Sequence, residues 1–349
     1  MRLSPSPLRG GSAEQSEAGV GVHIGGFRDQ PPPGTLFASL STCHPPRKGE
    51  GGQANCQSDP MTAVLTNLFD GVAYGMLLFV LGCGLAVTLG LMNFVNLAHG
   101  AFAMAGGYVC AVLVNRLGWP FFAGLPLAFV SAAVIGAALE RLLYRHLYSR
   151  SHLDQVLFSV GLVFMSVAAV DYIMGSQRVF INLPSVLEGQ FDLFGVGIGR
   201  YRLMIIVICG LLTALLQLIL ARTRFGSRLR AAVDDPRAAS GLGINVPQVF
   251  AFTFAFGCGL AGLGGALSAE VLGLDPYFPL KFMIYFLIVV TVGGSSSITG
   301  PFLASLLLGI ADVAGKYYVP KMGPFVIYTV MIVILIWRPN GLFGRAAAR

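Results

Sequence analysis

Charge is scarce in this chain. Asp, Glu, Lys and Arg make up 11% of its 349 residues, where soluble domains carry about 25%. With 55% hydrophobic residues and a mean hydropathy of +0.74, one water-soluble core cannot hold so many apolar stretches. A bilayer can, at roughly 20 mostly apolar residues per crossing. Catalytic apparatus is missing as well. There is no Gly-x-x-x-x-Gly-Lys-Ser/Thr phosphate loop; Gly315-Lys316 runs on into Tyr317, so nothing here would hydrolyse ATP unaided. Neither His-Glu-x-x-His nor a Gly-x-Ser-x-Gly elbow occurs, and the six cysteines show no metal-like pairing. Cys83, Cys110, Cys209 and Cys258 sit within apolar runs and read as small buried hydrophobes.

The formal net charge of +7 comes from the apolar part alone, because residues 1–60 hold five basic and five acidic residues. That distribution points to cytoplasmic loops rather than nucleic acid. The first sixty residues are rich in Pro, Gly and Ser and have no apolar stretch long enough for a signal-peptide core. They read as a disordered extension, with Met61 a candidate start for the membrane domain, 61–349.

The expected fold is an all-α integral membrane protein, a polytopic bundle of about eight or nine transmembrane segments with two broken or re-entrant ones. Apolar runs cover Leu65–Gly90, Phe94–Val114, Phe121–Leu139, Val156–Met174, Leu203–Ala221, Val249–Leu274, Phe282–Val292, Phe302–Gly315 and Phe325–Trp337. They are continuously apolar, which favours helices over a barrel. Eleven Lys/Arg fall after the third run, after the fifth and in the tail, against seven in the other loops. The first set is expected to face the cytoplasm. The polar loop Gly175–Arg202 then lies outside, either to meet a partner or as a packed surface loop.

Two breaks interrupt the apolar pattern at membrane depth. The first holds Asn93, Asn96, His99 and Gly100; the second holds Gly294, Ser295, Ser296, Ser297, Thr299 and Gly300, followed by Pro301. Unsatisfied polar groups cost several kcal/mol in hydrocarbon, so both stretches should be buried in protein or line a wet cavity. The first also reads as a helix start, whose free N–H groups favour a carboxylate; at the second, Pro301 fits the first turn of a helix that Ser or Thr can cap. The plainer reading of the first is a kink whose polar groups bond neighbouring helices. Val87-Thr88-Leu89-Gly90 before one break echoes Val290-Thr291-Val292-Gly293 before the other. Interrupted segments in corresponding positions mark the midplane site of transporters.

The loop 222–248 is the third feature. Arg228, Arg230 and Ala231 lead to Asp234 and Pro236, where a helix should break; Arg237 and Ala239 then belong to a second short helix ending at Gly243. Such a rigid basic element can dock in a groove of another protein or can simply obey the positive-inside rule. Gly257, Ala261, Gly265 and Ala269 form a small-residue stripe suited to close helix packing. Asp171, Asp312 and Glu270 are acids in or near spans, each close enough to an end to reach water.

The string Gly90-Leu91-Met92-Asn93-Phe94-Val95-Asn96-Leu97-Ala98-His99-Gly100 resembles permeases of the branched-chain amino acid ABC importer family. So do the 228–247 loop, the stretch Phe250–Leu267, the Gly293–Pro301 break and the tail Arg338-Pro339-Asn340-Gly341-Leu342-Phe343-Gly344. The resemblance covers about 61–344. It implies a multi-pass subunit of the bacterial inner membrane that translocates branched-chain or related amino acids and is not itself an enzyme. It further implies a second homologous permease subunit, two cytoplasmic ATPase subunits and a periplasmic substrate-binding protein. No cofactor is expected in this chain, ATP and Mg belonging to the ATPases. It makes 222–248 the coupling element, although the Glu-Ala-Ala often found there is Arg237-Ala238-Ala239 here. The rival is a stand-alone ion-coupled secondary transporter using Asp171, Asp312 or Glu270.

Overall fold

The computed structural model describes residues 60–92, 94, 96–148, 150–193, 196–294 and 298–343. The proposed extension, 1–60, therefore lies outside the described residues apart from Pro60, which opens the first helix. Among those described, the chain is helical with one short hairpin. The helices are α1 (Pro60–Met92), α2 (His99–Asn115), α3 (Phe121–Leu142), α4 (His152–Met174), α5 (Arg200–Arg222), α6 (Arg224–Asp234), α7 (Pro236–Gly241), α8 (Val246–Ser268), α9 (Phe278–Gly293), α10 (Thr299–Tyr318) and α11 (Gly323–Trp337). The strands β1 (Gln190–Leu193) and β2 (Val196–Gly199) pair antiparallel within the polar loop before α5. Stretches within α1, α3, α4, α5 and α8 are long and apolar enough to cross a membrane. This is a multi-pass membrane protein of the expected all-α class.

Local chemistry sets the ends of these elements. The Ser151 hydroxyl accepts from the Asp154 N–H and opens α4, while Gly175, at φ +81°, closes it. Asn245 accepts from the Gln248 N–H, and Pro247 fills the first turn of α8. The sixth apolar run reaches Leu274, but α8 stops at Ser268. The remaining residues turn back inward. The Leu274 side chain would collide with any Cβ on Gly107 of α2, and Pro279 of α9 lies against Gly100.

Helix α8 is the hub of the packing, because small residues let three neighbours reach its backbone. A Cβ on Gly106 of α2 would come within 2.3 Å of Gly262, and one on Gly136 of α3 within 2.6 Å of Cys258. Gly257 faces Gly84 of α1. The small stripe is therefore a packing surface, with Ala261 and Ala269 fully buried. Helix α1 runs antiparallel to α10: Gly71 meets Ile310, Gly75 meets Ser305 and Leu306, and Phe79 stacks edge-on to Phe302.

These contacts fix the relative direction of the helices. The start of α1 is tied to the start of α5 by an Asp70–Arg202 ion pair, and Val87 near its end shares a cavity with Leu216 and Leu220 of α5. The start of α1 thus lies on the side of the hairpin loop, opposite α6 and α7. The hairpin loop is packed rather than free. Ile181 is buried, and Asn115 at the end of α2 binds the Phe180 carbonyl at 2.7 Å and the Asn182 N–H at 2.9 Å.

Candidate functional site

The first break is built around Asn96 and His99, both fully buried. Helix α2 begins at His99, with Ala98 rather than an asparagine at its cap. Asn96 folds the chain before that start: its Oδ1 accepts from the Ala98 N–H at 3.1 Å and from the Tyr144 hydroxyl at 2.9 Å. Tyr144 comes from the turn between α3 and α4. It stacks edge-on with Phe94 and lies 4.7 Å, centroid to centroid, from Phe254 of α8. Tyr148 also meets Phe94 edge-on and donates to Glu140 at 3.3 Å. Burial pushes both phenols well above their ordinary range, so they act as donors. Asn93 lies outside the described residues.

The His99 ring is wedged among three helices. A Cβ on Gly84 of α1 would sit 2.4 Å from its Cε1, and the same Gly84 faces the Gly257 carbonyl of α8. Phe286 of α9 meets the ring edge-on at 6.3 Å. Two atoms here, Asn96 Nδ2 and His99 Nε2, are buried with no hydrogen-bond partner among the described residues. Orphan polar atoms of this kind are costly, and in native proteins they call for an explanation such as a ligand or ion.

The second break closes α9 at Gly293 and opens α10 at Thr299, with Pro301 in the first turn. The cap of α10 is Ile298, which makes no side-chain capping bond; of the Ser and Thr expected to cap it, Thr299 is the first helical residue and Ser295–Ser297 lie outside the described residues. The echo between the halves is realised at the restarts, since α2 and α10 each begin one residue before a glycine, Gly100 and Gly300. It fails at the stops: α1 runs two residues past Gly90, whereas α9 ends on Gly293. Gly300 packs onto Gly293, where a Cβ would come within 2.2 Å of the carbonyl oxygen.

Two elements join the breaks. Along α1, Gly84 touches His99 and Phe79 touches Phe302, about 7.5 Å apart along the axis. Helix α9 begins against Gly100 and ends in the second break. The C-terminal tail completes the second break. Leu342 N–H donates to the Val292 carbonyl at 2.8 Å and Phe343 N–H to the Gly293 carbonyl at 3.3 Å, satisfying two carbonyls at the end of α9. Gly341, at φ +80°, turns the tail onto Gly294 so closely that a Cβ would lie 2.7 Å from its nitrogen.

The loop 222–248 folds as α6, a break, and α7. Pro236 sits in the first turn of α7, and Asp235 caps it by accepting from the Arg237 and Ala238 N–H groups at 2.9 and 3.0 Å. The short helix ends at Gly241; Gly243 follows at φ +80°. Arg228, Asp234, Pro236, Arg237 and Gly243 are exposed. Ala231 is half-buried, and Ala239 is buried with Ala232 and Val246, so Ala239 holds the element together rather than facing outward. Arg230 reaches back to the Leu220 carbonyl of α5 and anchors α6.

The acids divide differently from expectation. Asp171 is exposed and accepts from Ser176, at the C-terminal end of α4. Asp312 does not reach water: it is fully buried and paired with Lys316 at 2.5 Å, and Lys316 lies over the Tyr74 ring. Glu270 is half-buried in the turn after α8; burial first, then the Glu188 charge, push its carboxyl up to about 7. No cluster of three or more His, Cys, Asp or Glu suited to a metal occurs among the described residues. Several contributors carry little sequence signal: Tyr144 and Tyr148, the Asp235 cap, and Leu242, which is 82% exposed at the tip of the α7 turn. An aromatic pair inside an Arg-rich loop is the one clue that could have revealed the tyrosines.

The profile of the family described as branched-chain amino acid transport system / permease component matches residues 67–335. The high-affinity branched-chain amino acid transport system permease protein LivH of Escherichia coli K12 is 28% identical over 303 residues, which is 82% of this chain and 98% of that protein. BraD of Pseudomonas aeruginosa, described in the same words, is 28% identical over 297 residues, 80% and 96% of the two chains. LivM of Escherichia coli K12, again a permease protein of that system, is 26% identical over 290 residues, 76% and 68%. No solved structure matches the chain.

Proposed function

Since this chain belongs to the branched-chain amino acid transport system permease family, we propose that it is the pore-forming subunit of an ATP-driven importer in a bacterial inner membrane. Its cargo on this reading is a branched-chain or related amino acid, as the printed names of the relatives suggest. A second permease of the same family completes the pore, two cytoplasmic ATPases drive it, and an external binding protein delivers the substrate. ATP and Mg are bound by the ATPases.

The observation that carries the reading is the α6–α7 element. It presents exposed Arg228, Arg237 and Leu242 on the side opposite the hairpin loop, and it is braced to the membrane helices. The brace has two parts: the Arg230 bond to the end of α5, and the buried cluster of Ala232, Ala239 and Val246 leading into α8. A push on α6–α7 therefore reaches α8, which touches His99's neighbours Gly84 and Gly106's helix directly. The two breaks then form the moving part of the pathway, with Asn96, His99, Gly100, Gly294, Thr299 and Gly300 as its polar and small-residue lining, and the pore alternates between outward- and inward-open states.

The test is co-purification of the tagged chain with its ATPase from detergent-solubilised membranes, using the native chain and the Arg228→Glu/Arg237→Glu variant. The expected result is an ATPase retained by the first and lost from the second. An isolated chain whose uptake survives ATP depletion and collapses with the proton gradient would overturn the reading in favour of an ion-coupled transporter.

A further inference from the structure

Two cavities meet at Phe252, near the start of α8 on the α6–α7 side. The first, of about 410 Å³, is wholly apolar and lies between α1, α5, α6 and α8, with Val87, Leu216, Leu220, Phe225, Phe256 and Leu260 in its wall. The second, of about 360 Å³, lies between the end of α3 and the start of α8, and Arg141, Arg145, Glu140 and Gln248 line it. Phe252 is 59% exposed between them, stacked on Phe256 at 6.4 Å and edge-on to Phe225 at 5.2 Å.

The chemistry of the pair is that of an amphiphile. The apolar cavity extends from Phe252 to Leu260 along α8, about 12 Å, and offers a polar solute nothing to bind. Both arginines of the second cavity are exposed, where the end of α3 meets the start of α8. Its one acid, Glu140, is buried and accepts from Tyr148, so the exposed charge around this cavity is positive. Arg224 and Arg228, exposed on the helix that supplies Phe225 and Leu229, add to the same sign. Basic pockets between membrane helices on the cytoplasmic side suit anionic headgroups.

We propose that this paired cavity is an anionic phospholipid site, with one acyl chain in the apolar cavity beside Phe252 and the phosphate on Arg141 and Arg145. The bound lipid joins α3, α5, α6 and α8 where α6 carries the docking element, and so supports the face named above. The proposal stands apart from the identity of the transported solute.

The test is native mass spectrometry of the purified full chain in detergent with phosphatidylglycerol, phosphatidylcholine or glycerol 3-phosphate added. Native chain should retain phosphatidylglycerol at least about tenfold better than phosphatidylcholine, and should not retain glycerol 3-phosphate. Arg141→Gln/Arg145→Gln should remove the preference for the anionic lipid. Ile219→Trp, which fills the apolar cavity from α5, should weaken retention of both lipids. Equal retention of the two lipids by the native chain, or a preference unchanged in the arginine variant, would overturn the proposal. So would an Ile219→Trp chain that keeps its lipid but loses its permease partner, since the cavity would then be a subunit interface.

Discussion

Gly84 of α1 and His99 of α2 lie so close that a single added methyl at Gly84 would stand 2.4 Å from the imidazole and 2.5 Å from the Gly257 carbonyl. Neither neighbour can yield easily, because one is backbone and the other is a ring held edge-on by Phe286. Gly84→Ala is therefore expected to destabilise the protein by about 1–3 kcal/mol and to cut uptake. Thermal unfolding in detergent and uptake by reconstituted vesicles measure the two effects. An alanine variant with native stability would mean that α1 and α2 can separate at no cost.

The tail contact is the second place where glycine is required. At φ +80° and against Gly294, Gly341→Ala combines backbone strain with a clash, and should cost about 1–3 kcal/mol locally. The expected readout is faster amide exchange at Val292–Gly294 and in α10, with α3 and α4 unchanged. Equal exchange in native and variant chains would show that the tail does not hold the second break.

The Asp312–Lys316 pair separates a structural role from an ion-coupling one. Lys316→Met leaves a fully buried carboxylate without its cation and should destabilise by about 2–4 kcal/mol, toward the low end for buried pairs because the lysine is a third exposed. The double variant Asp312→Asn/Lys316→Met should recover most of that loss and retain ATP-driven uptake. A double variant that is stable but transports nothing would make the acid functional.

Glu270 gives the pH dependence. Its folded-state value of about 7 lies above its ordinary 4.5, so the folded chain binds a proton that the unfolded chain releases. Stability from this group is greatest below pH 4.5 and is lost as pH rises toward 7. Glu270→Gln should flatten that part of the melting-temperature profile and raise the melting temperature at pH 8. A profile unchanged by the substitution would rule out Glu270 as the cause.

Side of the membrane is testable by labelling. In a chain with Cys43 and Cys56 replaced by serine, the remaining cysteines Cys83, Cys110, Cys209 and Cys258 are all buried. A cysteine at exposed Ser176 should react with an impermeant maleimide in spheroplasts, and one at Ser240 only after permeabilisation. The reverse pattern would invert the topology.

Composition and hydrophobic runs made the membrane class and most helices legible. Seven of the nine expected runs lie inside helices, with ends displaced by a few residues. The failure at Leu274 has a simple origin: hydropathy cannot distinguish a spanning segment from an apolar turn that folds back against Gly107. The second run failed at its start for a related reason, since Phe94 and Leu97 are apolar but belong to the break. At the site, the sequence revealed where polarity interrupts hydrocarbon, but not that Tyr144 answers Asn96 from 48 residues away. Nor could it reveal that Asp312 pairs with Lys316 while fully buried, since an i,i+4 acid–base pair fits a solvated helix face equally well.

Helix α9 has a mechanical consequence of its own. Its second residue abuts the start of α2 and its last one forms the second break, a separation of about 21 Å set by the rise of a helix. This one helix meets the first break twice, at Pro279 and at Phe286, and ends in the second, so it ties the two together mechanically. A displacement of α9 at one break is therefore carried to the other as long as the helix stays intact.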